Sequence, residues 1–316
     1  MKIAVLDKVT MGEDIPLHLL SEFGELVEYP NTSADEVISH IGDADVIVLN
    51  KVKITKATLD ACKNLKLICV FATGYDNIDI SAAKERNVAV CNVPGYSTDS
   101  VALFTVATVL SLVSHLREYN DFVRGGGYSA SSSANRIVPV FHDLRDKTWG
   151  VVGGGNIGSA VVKIAEAFGA RVIVNKRISS DKFNCVDIVT LCRESDIITL
   201  HCPLNDDTRE LINKERISLM KKGVILVNEA RGAVLNERDV ADAVIEGKIG
   251  GFGCDVYSKE PFSKEHPYNK IMELPNVLLT PHAAWASYEA RERCVKIISE
   301  NITSYLNGEN LNRVDK

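Results

Sequence analysis

VVGGGNIG, Val151 to Gly158, is entered by a β-branched apolar run, Thr148–Val152, and left by a helical pattern, SAVVKIAEAF, that ends at Gly169. A second apolar run, Val172–Asn175, follows at once. A lone G-x-G-x-x-G is weak, because glycines fall at such spacings by chance. In the order strand, loop, helix, strand it becomes the fingerprint of a turn that cradles the pyrophosphate of a dinucleotide. Gly153 permits the tight turn, Gly155 lets the backbone approach the ligand, and Gly158 allows helix and strand to pack closely. The helix start adds free N–H groups and the positive end of its dipole.

Such a turn is commonly answered, about twenty residues on, by an acid that takes the ribose hydroxyls of NAD. Here the second strand ends Asn175-Lys176-Arg177. A neutral amide and two cations stand where an acid would repel a 2′-phosphate, and they suit one. The sequence therefore predicts NADP as the preferred cofactor. NAD is the alternative if both cations are merely solvated.

Short apolar runs alternate with helical patterns on both sides of this unit. Strands are predicted at Ile3–Leu6, Val46–Leu49, Leu67–Phe71 and Val88–Cys91, then at Thr148–Val152, Val172–Asn175, Ile197–His201, Val224–Asn228, Gly251–Cys254 and Val277–Leu279. Most are continuous rather than alternating, as expected when helices cover both faces of a parallel sheet. The repetition predicts an α/β protein with two doubly wound parallel-sheet domains. A flavodoxin-like substrate domain is expected from residues 1–99 and 287–316, with a Rossmann-type dinucleotide-binding domain, 100–286, inserted in it. One helix, Ser100–Arg117, is expected to connect the two. Gly125–Arg136 reads as a long surface loop. A closing helix, Tyr288–Leu306, has no strand after it and is expected to pack back on the first domain.

With 316 residues the chain is long enough for two such domains. Its formal net charge is −6 and it has no long basic run, which argues against a nucleic-acid partner. The longest mostly apolar stretch, Val101–Leu116, is short of a membrane span and carries Thr, Ser and His. The start, MKIAVLD, runs directly into a strand pattern, so no signal peptide and a cytoplasmic location are expected. Eight cysteines show no C-x-x-C pair and no partnered His spacing. They read as buried thiols in a reducing compartment, with no metal site.

Three further segments place polar groups at the ends of apolar runs, where open parallel sheets build their sites. They are VILVNEARG (Val224–Gly232), GCDVYSKEP (Gly253–Pro261) and LLTPHAAW (Leu278–Trp285). Each offers one group suited to carbonyl chemistry: Arg231, Glu260 and His282, with Asp255 as a fourth polar group. GxGxxG, VNxARG, DVxxxEP and TPHxAW, in this order and spacing, resemble the D-isomer-specific 2-hydroxyacid dehydrogenase family over essentially the whole chain. ATGYDNID (Ala72–Asp79) and VCNVPGYSTDSVA (Val90–Ala102) resemble it too. ATGYDNID with PHAAWAS is most similar to its hydroxypyruvate and glyoxylate reductases, or glycerate dehydrogenases.

The resemblance implies an oxidoreductase that reduces small 2-keto acids, with these roles. His282 would protonate the nascent alkoxide. Glu260 would hold the other ring nitrogen. Arg231 would grip the substrate carboxylate and polarise the carbonyl. Backbone N–H groups of Thr73, Gly74 and Tyr75 would share that carboxylate, and Asp255 would orient the nicotinamide carboxamide. Besides the glycines, Lys176 and Arg177, the cofactor would be lined by Asn156, Ile157, Cys202, Pro203, Thr208, Glu229 and Ala230, with Arg231 and His282 also facing it. A homodimer is expected, through Val101–Leu116 and the loop Ser129–Phe141. Formate oxidation is disfavoured, because formate dehydrogenases of this fold carry Gln where Glu260 stands. His266–Tyr268 replaces a more usual aliphatic and is expected to alter the pocket rim. A D-lactate-type dehydrogenase and a dinucleotide-sensing interaction protein of the same fold stay open as alternatives.

Overall fold

Strands buried along their whole length sit inside both sheets. In the first, β1 (Lys2–Val5), β2 (Glu25–Glu28), β3 (Val46–Leu49), β4 (Leu67–Val70) and β5 (Ala89–Cys91) pair in the order β2-β1-β3-β4-β5, all parallel. Every residue of β3 and β4 is buried, which is why they read as unbroken apolar runs. The short helices α1 (His18–Ser21), α2 (Val37–Ile41), α3 (Lys56–Ala61) and α4 (Ile80–Glu85) fill the crossovers. Thr55 caps α3 and Asp79 caps α4, each taking a backbone N–H of the first turn. β2 is absent from the sequence reading. ELVE is an edge strand with a glutamate at either end and no buried residue, so it has neither periodicity nor an apolar run.

The second sheet holds β6 (Thr148–Val152), β7 (Arg171–Asn175), β8 (Ile197–Leu200), β9 (Val224–Asn228), β10 (Ile249–Cys254) and β11 (Val277–Leu279), in the order β11-β10-β9-β8-β6-β7, again all parallel. Trp149, at the heart of β6, is fully buried and donates its Nε1–H to Thr199 at 3.1 Å. The helices of this sheet are α5 (Thr98–Val113), α6 (Leu116–Arg124), α7 (Asn156–Ala167), α8 (Ile188–Glu194), α9 (Lys214–Leu219) and α10 (Glu237–Ile245). The single helix expected over Ser100–Arg117 is therefore two, α5 and α6, bent by 64°. The Ser114 hydroxyl bonds back to the Leu110 carbonyl and His115 takes a left-handed conformation at φ 52°, which ends α5. Among the described residues no single helix is long and apolar enough to cross a membrane.

The structure describes residues 1–178 and 180–316 as a computed structural model. The chain divides into two units, Met1–Ser97 with Ala286–Lys316, and Thr98–Trp285. The last helix, α11 (Tyr288–Leu306), is capped by Ser287 and belongs to the first unit. Its buried Asn301 donates to the Asn92 carbonyl at 2.9 Å, just past β5.

Candidate active site

In the second sheet the chain leaves β6 for β7 and then crosses to β8 on the other side, so the topological switch lies at the carboxyl end of β6. The glycine loop sits there. Gly153 has φ +101°, and a Cβ on it would stand 2.6 Å from the His201 carbonyl carbon. A Cβ on Gly158 would strike the Gly153 carbonyl oxygen, so α7 can approach β6 only with glycine at that place. Gly155 is exposed and is the N-cap of α7, a position with no side chain of its own to take the first N–H groups. Beyond its own chain neighbours, no atom of the described residues lies within 4 Å of where its Cβ would be. Asn156 and Ile157 open the helix beside it. A crowded turn, an open approach and an uncapped helix start fit a diphosphate.

Lys176 and Arg177 follow β7 beside this loop. The Lys176 stem lies 3.1 Å from the position of a Cβ on Gly154, and its ammonium sits 5.5 Å from the Phe183 ring centre. Lys176 is half-buried and Arg177 exposed. The Asn175 amide donates to the Val186 carbonyl at 3.0 Å. After β8, Cys202 is buried, and burial pushes its thiol up to about 11. The Thr208 hydroxyl donates to the Pro203 carbonyl at 2.7 Å and so closes the Pro203–Thr208 turn. The sequence motifs assign His201 no role. Both its ring nitrogens are buried without a hydrogen-bond partner among the described residues, and burial drives the ring down to about 3.

The carboxyl ends of β9, β10 and β11 lie in register, with Asn228 beside Cys254 and Cys254 beside Leu279. Three loops thus leave one edge. In the first, buried Asn228 accepts from Ala230 N–H at 3.1 Å and donates to the Arg231 carbonyl at 2.9 Å, which folds VNEARG into a tight turn and presents Arg231. In the second, Asp255 is almost fully buried, with Oδ1 accepting from Thr280 Oγ1 (2.6 Å) and Ala283 N–H (2.8 Å), and Oδ2 from Ala284 N–H (2.9 Å). It staples the second loop to the third. His282 is held at φ +56° with its N–H on the Asp255 carbonyl at 2.8 Å. A non-glycine residue in that region is costly and persists where its surroundings fix it. The His282 Nδ1 lies 2.7 Å from Glu260 Oε2. With Nδ1–H donated to a carboxylate, Nε2 is the basic nitrogen of the neutral ring.

Glu229, inside VNEARG, is buried, and its side chain turns to α5, where Thr105 Oγ1 lies at 2.8 Å and Thr108 Oγ1 at 3.2 Å. The Thr105 hydroxyl is also 2.8 Å from the Val101 carbonyl. It owns one proton, and a carbonyl can only accept. With that proton on Val101, the contact with Glu229 needs a proton on the carboxyl. Burial, with Asp255 adding to it, pushes this carboxyl up to about 8. Such a group is neutral when folded but ionises from about pH 4.5 upward when unfolded, so stability falls as pH rises toward about 8. Glu229→Gln mimics the neutral form and removes that loss. The variant is expected to gain roughly 3 kcal/mol over the parent at pH 7, shrinking toward nothing near pH 4. Urea unfolding at several pH values measures the gap, and a gap that ignores pH would mean that Glu229 is ionised in the folded protein.

Arg231, Glu260 and His282, with Asp255, thus come from three adjacent loops of one unit. Thr73, Gly74 and Tyr75 follow β4 in the other unit, where Thr73 Oγ1 donates to the Val93 carbonyl at 2.9 Å and Asn92 donates to the Thr73 carbonyl at 2.8 Å. Tyr268, expected at a pocket rim, is instead fully buried against Phe252, ring centres 5.1 Å apart. Sequence reasoning gave no role to Asn228, Tyr257, Glu237 or the two threonines of α5. Only Asn228 had a signal, as the fixed N of VNxARG.

Residues 106–284 match the family model described as D-isomer specific 2-hydroxyacid dehydrogenase, NAD binding domain. A hydroxypyruvate reductase of Blautia hydrogenotrophica is 36% identical over 325 aligned residues, covering 100% of both chains. An acyclic imino acid reductase solved with NADPH and D-Arg superposes with TM-score 0.89 at 31% identity, over 99% of this chain and 100% of that one. A D-lactate dehydrogenase of Aquifex aeolicus, solved with NAD and lactic acid, gives TM-score 0.88 at 29% identity, over 99% of each chain.

Proposed function

The chain belongs to the D-isomer-specific 2-hydroxyacid dehydrogenases, NAD(P)-dependent oxidoreductases of small keto and hydroxy acids, and on that premise we propose that it reduces hydroxypyruvate and glyoxylate to D-2-hydroxy acids, with NADPH preferred over NADH. One observation carries the reading: the 2.7 Å contact between His282 Nδ1 and Glu260 Oε2, which sets the ring's tautomer and makes Nε2 the nitrogen that exchanges a proton. A nicotinamide held there would supply the hydride that reduces the carbonyl carbon. His282 delivers the proton that the resulting alkoxide takes up. Glu260 keeps the ring oriented and balances its charge. Arg231 meets the carboxylate with a planar fork and draws charge from the neighbouring carbonyl, and Thr73, Gly74 and Tyr75 are proposed to share that carboxylate. Gly153, Gly155 and Gly158 with the start of α7 take the diphosphate. Lys176 and Arg177 are proposed to take the 2′-phosphate. Cys202, Pro203 and Thr208 are proposed to line the adenosine side, and Glu229 and Ala230 to meet the cofactor through their backbone. Asp255 fixes the His282 loop and is proposed to meet the carboxamide.

We further propose a cytoplasmic homodimer, in keeping with eight unpaired cysteines and with Val123, Ile137, Val138, Val140 and Phe141 standing exposed on and after α6. Neither nucleic acid nor membrane enters the proposal.

Steady-state rates with hydroxypyruvate, glyoxylate, pyruvate and bulkier 2-keto acids test the reading. The highest kcat/KM is expected with hydroxypyruvate or glyoxylate. A preference for pyruvate or a larger acid would make it a D-lactate-type enzyme. Dinucleotide binding without turnover of any acid would make it a sensing protein.

A further inference from the structure

We propose that Glu237 and His266 are positioning residues for the acid–base pair, fixing the turn Tyr257–Phe262 that holds Glu260 against His282. The proposal rests on reading Glu260 and His282 as that pair.

Glu260 uses one oxygen for His282, and the other, Oε1, accepts the Tyr257 N–H at 3.0 Å. The orientation of the carboxylate therefore depends on where the backbone of Tyr257 lies. The next residue, Ser258, donates its N–H to Glu237 Oε1 at 2.8 Å and its hydroxyl to Glu237 Oε2 at 2.5 Å. Glu237 stands in the first turn of α10, an element with no other part in the site. Its Oε2 also meets His266 Nε2 at 3.0 Å. His266 Nδ1 accepts the Tyr268 N–H at 3.3 Å, so the ring carries its proton on Nε2 and donates it to Glu237. The Tyr268 backbone thereby fixes the tautomer.

The His266 ring also packs on residues to either side of Glu260. Phe262 stacks on it at 4.7 Å between centres, and Tyr257 meets it edge-on at 5.9 Å. The side chains of His266 and Glu237 are only 7% and 10% exposed. A carboxylate so enclosed is costly unless its lone pairs are met, and here three donors meet it. A solvated surface turn would not need this arrangement.

The same turn touches the loops of both other proposed catalytic residues. A Cβ on Gly232, next to Arg231, would strike the Tyr257 carbonyl carbon and the Ser258 nitrogen. The Tyr257 hydroxyl donates to the Thr280 carbonyl at 2.8 Å, two residues before His282. A shift of the turn would move Glu260 relative to its neighbours on both sides. Misplacement by about 1 Å can cost on the order of a hundredfold in rate.

The test compares Glu237→Ala, His266→Leu, Glu260→Gln and the doubles that combine each of the first two with the third. Rates are taken under conditions where circular dichroism finds every variant folded, and His266→Leu decides if Glu237→Ala does not fold. Each of the first two is expected to lower kcat by roughly tenfold to a hundredfold. NADPH affinity, read by fluorescence titration, and keto-acid KM should stay near the parent's. Glu237→Gln, which keeps an acceptor for the Ser258 N–H, should recover part of the loss. In the Glu260→Gln background neither change should slow the enzyme further, because residues that act through one partner are not additive. Losses that multiply would overturn the proposal and leave Glu237 and His266 as parts of the fold alone. A Glu260→Gln enzyme as fast as the parent would instead bring down the acid–base reading, and the proposal with it.

Discussion

Replacing His282 with alanine is expected to cut kcat for reduction by roughly 10²–10⁴-fold, the usual contribution of a positioned acid, while NADPH still binds. The phosphate loop and β7 make no use of His282, so affinity for the dinucleotide should survive. The loss should appear in kcat more than in KM, because the proton is needed as charge develops on the oxygen. Alanine carries a secondary cost. His282 sits at φ +56°, a region that alanine enters less readily than asparagine. His282→Asn is therefore the cleaner companion, since it tolerates the backbone and cannot supply the proton. If both variants lose rate together, chemistry is the cause. If alanine alone is slow, backbone strain has moved the loop. A near-parent kcat in the asparagine variant, with any good substrate, would remove His282 from the mechanism.

The carboxyl ends of β9, β10 and β11 explain why this pair was legible in the sequence. β9 and β10 are buried at all but one residue each and β11 is a short apolar run buried at Val277, each ends within a few residues of one polar group, and the parallel sheet brings the three ends to one edge. What the sequence did not disclose is how the loops are held. Asp255 reads as a fourth polar group but spends both oxygens on Thr280, Ala283 and Ala284. Glu237 and His266 are 29 positions apart and share no motif, so nothing short of the fold connects them. Glu229 is hidden for another reason. The resemblance places it along the cofactor and says nothing of its side chain, and its threonine partners on α5, more than 120 positions earlier, are brought to it only by the fold. The failures in the fold are of the same kind. β2 has no pattern to read because an edge strand need not be apolar, and the bend at His115 depends on one backbone conformation that composition does not encode.

Replacing Lys176 with aspartate is expected to reverse the cofactor preference. In the parent, Lys176 sits at the carboxyl end of β7 with its stem against the glycine loop and its ammonium over Phe183. A stem packed in this way has less side-chain freedom to lose when a 2′-phosphate arrives. A charge-assisted hydrogen bond from a half-buried cation is worth about 1.5 kcal/mol at the low end, or roughly tenfold in affinity. Arg177 is exposed and adds less, since water and salt screen it. The parent should therefore use NADPH about tenfold better than NADH by kcat/KM, with the advantage shrinking as salt rises. Lys176→Asp removes the cation and adds an anion. The anion repels the phosphate and can accept from both hydroxyls of an unphosphorylated ribose. The swing should then exceed the parent's own preference, to roughly a hundredfold or more, with one contribution lost and another of like size gained. The measurement is the ratio of kcat/KM for the two cofactors, at low and high salt, in parent and variant. A parent ratio that favours NADH and ignores salt would mean that both cations face water and that Asn175-Lys176-Arg177 has no part in recognising the ribose.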